Sequence, residues 1–399
     1  MNTFLSLGLI FAFGFLGGYL IEKIRLPKLI WYLILGILIG PSLLNIVDPT
    51  LLSISSYLRQ IALIIILTRS GLSLDLGVLK KIGRPAILMC FLPAVFEIAG
   101  ITTFGPLLLG VSITEALLLG SVLAAVSPAV VVPRMIKLQE EGYSSNHHVA
   151  ELIMAGSSAD DIFVIVLFYA FKGVVATNSF DGLSIAMIPI SIISGIALGA
   201  IFAVLIILLF KYIKLPTVVK VIVVLGVSFL MVGIENLIKP YFSISSLLGI
   251  IVIGIALLKF LPNEAKEIKP AYNSLWNGFE ILLFALVGSA VDIKYAFTKD
   301  GPIIVGLLFI GLLFRTIGVI VCVIKTEYSF KEKIYIAISY LPKATVQASI
   351  GAIALSEGLS CGNLVLTAAV VAILISAPLG AILMDTLKKK LLTKPIENI

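Results

Sequence analysis

The sequence predicts an all-α polytopic membrane protein of about thirteen transmembrane helices, arranged as two inverted repeats with broken, crossing helices in the fifth and twelfth positions. Three observations carry that prediction. Hydrophobic residues make up 60% of the 399 positions and charged residues only 13%, against about 25% charged in a soluble chain. Apolar runs long enough to span, about 20 residues for a helix, recur from end to end with short polar turns between them. Prolines and polar side chains interrupt two of those runs at matching places.

The runs fall at roughly 3–20, 28–45, 55–74, 84–110, 114–137, 148–173, 183–212, 217–236, 243–261, 273–297, 301–325, 331–356 and 362–387. The first, "MNTFLSLGLIFAFGFLGGYL", has neither a basic n-region nor a small-residue cleavage site, so it reads as an uncleaved helix and not as a secretory signal. In the third, Arg59 and Arg69 sit near the ends, where they can snorkel toward headgroups. The fourth carries Glu97 at mid-run. The fifth contains "AVSPAVVVP", with Pro128 and Pro133 in its interior, and the sixth contains "AGSSADDI", with Asp160 and Asp161 side by side. The seventh joins the halves. Glu235 and Asn236 near the end of the eighth and Glu280 early in the tenth read as vestibule or scaffold residues. Arg315 falls in the middle of the eleventh run. The twelfth contains "SYLPKATVQAS", with Pro342 followed by Lys343, Thr345 and Gln347, and the thirteenth leads into a lysine-rich tail.

A net charge of +7 invites a nucleic-acid reading, and the placement of the charges excludes it. Connections after odd-numbered runs, with the C-terminal tail, hold twenty-one basic residues; the other side holds Lys172, Lys239, Lys294 and Lys299. By the positive-inside rule the N-terminus is outside and the C-terminus cytoplasmic, which suits the cell membrane. Cys90, Cys322 and Cys361 lie far apart and imply neither a disulfide framework nor a metal motif. His147 and His148, at a helix start, lack the i, i+4 spacing of a metal pair and read as interfacial, with pH sensing left open.

Glu97, Asp160, Asp161, Arg315 and Lys343 lie about 12–14 residues into their runs, which at about 1.5 Å per residue is mid-membrane. A charge there costs about 2.5–3.5 kcal/mol on insertion scales. Structural ion pairs have no reason to share one level, whereas a transport site at the midplane does. The two proline-broken runs stand at the same depth, and proline frees main-chain carbonyls that must face protein or a water-filled cavity. Each is fifth in its half, counting runs 1–6 and 8–13. Because the halves begin on opposite sides, they are inverted repeats, and paired interruptions of this kind point to a transporter's binding site. Glu97 and Arg315 are likewise each on the fourth run of a half, where opposite charges can meet.

Two adjacent carboxyls in a medium of low dielectric can hold a proton or, when ionised, a small cation. Carboxylate, serine and main-chain oxygens suit a hard ion such as Na⁺ or Li⁺, with Ser127, Ser157 and Ser158 as supporting ligands around Asp160 and Asp161 and with Lys343, Thr345 and Gln347 compensating the broken helix. Competition between proton and cation for one carboxylate is already an exchange mechanism. No cofactor is called for, and no second constellation accompanies the aspartates to make the chain an enzyme.

Four stretches resemble the sodium/proton antiporters of the cation/proton antiporter superfamily, and within it the NHA branch: "AAVSPAVVVPRM" (124–135), "AGSSADDI" (155–162), "LPKATVQASIGA" (341–352) and "RLPKLIWYLILGILIGP" (25–41). The resemblance covers essentially the whole hydrophobic chain. It implies a homodimer whose core domains move like an elevator against a dimerisation scaffold. The implied division is 1–83 and 217–300 for the scaffold, 84–173 and 301–390 for the core, and 174–216 for the linker helix. It further implies Asp161 as the principal ion-binding carboxylate, Asp160 as its partner, and Glu97 as the acidic partner of an arginine. Arg315 stands where many members with paired aspartates carry a lysine. Arginine cannot release a proton in the cycle, so stoichiometry turns on its partner. If Glu97 occupies Arg315, two protons per cation are open; if Arg315 pins Asp160, exchange is one for one. The expected partners are monovalent cations, protons, membrane lipids and a second copy of the chain. A potassium/proton antiporter of the same fold and a sodium-coupled symporter are the alternatives.

Overall fold

Every apolar run is helical in the computed structural model, which describes residues 2–74, 77, 80, 82–143, 147–177, 182–238, 244–298 and 300–393 and, at residues 158, 176–177 and 182–189, the backbone alone. In chain order the helices are α1 (Thr3–Lys23), α2 (Lys28–Ile39), α3 (Pro49–Ser53), α4 (Ser55–Gly71), α5 (Arg84–Met89), α6 (Leu92–Leu109), α7 (Ile113–Leu123), α8 (Pro128–Glu140), α9 (Val149–Thr177), α10 (Gly182–Tyr212), α11 (Thr217–Ile238), α12 (Ser246–Phe260), α13 (Pro262–Ser289), α14 (Ile293–Ala296), α15 (Asp300–Cys322), α16 (Phe330–Ser339), α17 (Thr345–Gly351), α18 (Ile353–Ser356) and α19 (Gly362–Leu391). Among the described residues there is no strand, and eight spans are long and apolar enough to cross a bilayer, beside shorter apolar helices at Lys28–Ile39, Ser246–Phe260 and Thr345–Ser356.

The fifth run is α7 and α8, parted before Pro128. The twelfth is α16 and α17, parted around Pro342. Proline pushes the residue before it out of the helical region, and Ser127 accordingly has extended dihedrals, φ −94° and ψ 109°. Several boundaries differ from the sequence reading: the helix of the second run stops at Ile39 and that of the tenth at Ser289, and two further differences have a clear cause. The fourth run is also interrupted, between α5 and α6, where Phe91 leaves helical geometry ahead of Pro93. The tenth helix begins at Pro262 and not near 273. Apolarity marks only where a helix enters the membrane, whereas this one starts in the polar connection, with Glu264 in its first turn, where a carboxylate suits the helix dipole.

Helix packing divides the chain into two units. The first takes Met1–Ser56, Leu76–Phe171 and Ile281–Ile399. Within it α6 packs along α15 and α19 packs against α16, α17 and α18. Small residues allow these approaches, as is common between helices in lipid. A Cβ on Gly100 would lie 2.7 Å from the Phe314 ring, and one on Gly318 would lie 2.9 Å from Pro93 Cα. That closeness brings Glu97 of α6 against Arg315 of α15. Gly380 of α19 does the same for Pro342, whose Cγ would stand 2.5 Å from an added Cβ.

The second unit takes Tyr57–Asp75 and Lys172–Glu280. Its α10 and α12 meet where Gly199 lies on Gly249, with 2.5 Å between an added Cβ and Gly249 Cα. Lys220 is buried and pairs with Glu264 and, at 2.8 Å, with Glu267. Glu235 caps α12, accepting from Ser246 N–H at 2.9 Å and from the Ser246 hydroxyl.

Matching devices hold the starts of the two broken runs in the first unit. Ser112 and Glu115 form a capping box on α7, and Ser329 and Glu332 form one on α16. Each glutamate then reaches across to the turn between the fifth and sixth runs of the other half. Ser360 Oγ donates to Glu115 Oε1 at 2.7 Å, and His147 Nδ1 lies 3.0 and 3.1 Å from the two Glu332 oxygens. Tyr328 stands edge-on to His147, and burial, with Glu332 and Glu151 nearby, pushes its phenol up to about 12. Replacing Glu115 or Glu332 by alanine should therefore cost about 1 kcal/mol for the capping-box hydrogen bond alone, and more with the cross-half bond. The expected order of thermal unfolding midpoints in detergent is wild type, then glutamine, then alanine at either position.

Candidate ion-binding site

The two breaks hydrogen-bond to each other: Ser127 N–H donates to Pro342 O at 2.8 Å. Helix α7 ends there with carbonyls that have no intrahelical donor, and its dipole puts partial negative charge at that end. Three side chains meet it. Gln347 Nε2 donates to Ala125 O at 2.9 Å and to Leu123 O at 3.3 Å. Arg315 Nη1 donates to Ala124 O, and Lys343 Nζ approaches Ala125 O at 3.5 Å. On the other break, Tyr340 O accepts from Arg315 Nε at 2.8 Å. Lys343 N–H donates to Ser376 Oγ of α19 at 3.0 Å.

Charges fill the crossing. Arg315 Nη1 lies 3.1 Å from Glu97 Oε2 and Nη2 lies 2.7 Å from Asp160 Oδ2. Lys343 Nζ lies 2.8 Å from the same Glu97 oxygen. All four side chains are 0% exposed. Arg315 thus bonds both of the acids between which the sequence left a choice. Asp160 Oδ2 also accepts Val126 N–H, from inside the break of the fifth run, at 2.9 Å. Two cations and two anions balance.

Asp161 is the exception. It is 3% exposed, and among the described residues it has no ion-pair partner, although Asp160 and Arg315 are close enough to act on it electrostatically. Its Oδ1 is buried without a hydrogen bond, as are Asp160 Oδ1, Ser127 Oγ and Thr345 Oγ1. A buried polar atom left unpaired costs about 1–3 kcal/mol, which makes these oxygens the candidate ligands for an ion or a proton. All are hard donors of the kind that suits Na⁺ or Li⁺. Among the described residues no group of three His, Cys, Asp or Glu stands together for another metal.

Of the supporting residues named from sequence, Ser157 spends its hydroxyl proton on Met154 O, 3.1 Å away in its own helix, and the Ser158 side chain lies outside the described residues. Sequence reasoning missed Ser376 and Tyr340. A serine two residues before Pro378 inside an apolar run was a signal for the first. The second stands two residues before Pro342, where a helix must end.

The family model of the transmembrane sodium/hydrogen exchangers matches residues 9–388. This chain belongs to the sodium/hydrogen exchanger family, within the cation/proton antiporter superfamily. It is similar to sodium/hydrogen exchanger 9B2 of Mus musculus, 33% identical over 353 residues, or 85% of this chain and 63% of that one. With 9B2 of Homo sapiens it shares 32% over 406 residues, 97% of this chain and 74% of the relative. With human 9B1 it shares 33% over 422 residues, 98% and 78%. The chain therefore spans roughly two thirds to three quarters of the length of these relatives. Among solved structures, the sodium proton antiporter MjNhaP1 of Methanocaldococcus jannaschii has the same fold, with a TM-score of 0.83 over 98% of this chain and 99% of that one at 21% identity.

The balance of charges in this exchanger fold separates two substitutions. Arg315→Met strands buried carboxylates and should cost about 3–5 kcal/mol, seen as a sharp loss of folded yield and of the unfolding midpoint. Asp161→Asn removes the buried carboxyl of the crossing that, among the described residues, has no ion-pair partner, and should leave the midpoint unchanged or raised.

Proposed function

We propose that the chain exchanges Na⁺ or Li⁺ for protons, one for one, by alternating access, with cation and proton competing for Asp161. The observation that carries this reading is the closed charge balance at the crossing. Arg315 and Lys343 are matched by Glu97 and Asp160, so one carboxylate remains to be neutralised in turn by a proton or by a cation. Asp160 serves as a fixed anion that shapes the site, and Ser127 and Thr345 offer further oxygens to the ion.

In this reading the core, residues 84–173 and 301–390, carries the site across the membrane like an elevator. The scaffold of 1–83 and 217–300 forms a homodimer in the lipid of the cell membrane, and 174–216 links the two. Support comes from the placement of all five mid-membrane charges in the core segments. In this reading the N-terminus lies outside and the C-terminus in the cytoplasm, which the distribution of basic residues between the loops supports.

The test is proton flux in proteoliposomes with an imposed pH gradient, adding Na⁺, Li⁺ or K⁺ in turn. Na⁺ or Li⁺ should drive proton movement in wild type and none in Asp161→Asn. A membrane potential of either sign should leave the rate unchanged, whereas a 2:1 exchange would move a charge worth about 2.3 kcal/mol per 100 mV. Flux driven by K⁺ alone would make the chain a potassium/proton antiporter. An active Asp161→Asn would refute the reading.

A further inference from the structure

One hydroxyl at this crossing has no use in the scheme above. Tyr340 is fully buried and its Oη has no hydrogen-bond partner. The rest of the residue is spent on Arg315: its carbonyl accepts Nε, and its ring lies 5.3 Å from the guanidinium carbon. The hydroxyl itself abuts α9 at Gly156, where an added Cβ would overlap it and would stand 3.4 Å from Tyr340 Cζ. Gly156 is four residues before Asp160, so the two share a helix face one turn apart. Asp160 is close enough to Tyr340 to act on it electrostatically. Its Oδ1 is the oxygen that neither Arg315 nor Val126 N–H engages. A phenol donor and a carboxylate acceptor, both buried and both unspent, therefore stand at the same turn of α9.

We propose that Tyr340 is a positioning residue of the cation site, whose hydroxyl donates to Asp160 Oδ1 in one state of the transport cycle and is released in another. Gly156 is the companion feature, because only a residue without a side chain lets the hydroxyl approach α9 at that turn. Arg315 holds Oδ2 in the state described, and a rotation of the Asp160 carboxyl presents Oδ1 to the phenol. The hydroxyl then steadies the orientation of Asp160 beside Asp161 while Asp161 changes occupant. The proposal rests on the antiport reading and adds a residue to it.

Tyr340→Phe isolates the hydroxyl, since it keeps both the ring beside Arg315 and the main-chain carbonyl. In proteoliposomes its apparent KM for Na⁺ or Li⁺ should rise about threefold to tenfold with kcat within about twofold, the signature of altered cation binding and not of lost fold. Gly156→Ala, whose Cβ would meet the hydroxyl and also stand 2.9 Å from Met89 Cβ, should move KM the same way, and part of its effect should vanish in the Tyr340→Phe background, as expected for coupled residues. A second readout needs no transport. The infrared C–O band of Tyr340, taken as wild type minus Tyr340→Phe in detergent, should shift when NaCl or LiCl replaces choline chloride. A band that ignores the cation, or a KM unchanged in Tyr340→Phe, overturns the proposal. If wild type moves no protons with any cation, the antiport reading fails, and the infrared band still decides on the hydroxyl.

Discussion

Arg315 cannot give up its proton and is completely buried at the centre of an apolar chain, so its donors must find acceptors inside the protein. A guanidinium has five N–H groups in a fixed fork. Here they reach Glu97, Asp160 and the carbonyls of Ala124 and Tyr340. Those partners come from four places in the chain, on α6, α9 and the breaks of the fifth and twelfth runs. Meeting the needs of one side chain fixes the relative setting of all four.

The breaks and the charges answer each other's cost. An interrupted helix in lipid leaves carbonyls that hydrocarbon cannot satisfy, and a buried cation leaves donors equally exposed. Placed together, the carbonyls of Leu123, Ala124 and Ala125, at and just beyond the end of α7, meet Gln347, Arg315 and Lys343, while Val126 N–H donates to Asp160. Glycines at 100, 318 and 380 let the helices come close enough for this to happen. The paired capping boxes then tie the start of each broken run to the opposite half.

Much of this was legible in the sequence. Spanning length and apolarity mark the helices, Pro128 and Pro342 mark two of the breaks, and five ionisable residues at one depth mark the candidate site. What was not legible has a physical reason too. Main-chain groups carry no sequence signal, so the roles of Val126 N–H and Ala124 O could not be read. Nor could the forked contact of Arg315 with both Glu97 and Asp160, because a guanidinium can serve two acids and sequence only ranks candidate pairs. The early start of α13 was hidden because polar residues continue a helix beyond the membrane as readily as apolar ones within it.

What the crossing leaves over is a single carboxylate, Asp161, and its chemistry follows from that remainder. A site already balanced by two cations and two anions has no need of a proton at Glu97 or Asp160, and an arginine cannot supply one. In the proposed reading, with Lys343 held as a cation against Glu97, Asp161 is the carboxyl that trades a proton for a cation. The most direct measurement is the number of protons released when Na⁺ or Li⁺ is added, to saturation, to unbuffered, detergent-purified protein at a pH low enough for the free site to be fully protonated. The account expects up to one proton released per cation bound and none from Asp161→Asn. Release approaching two protons per cation, or release that persists without the Asp161 carboxyl, would contradict it.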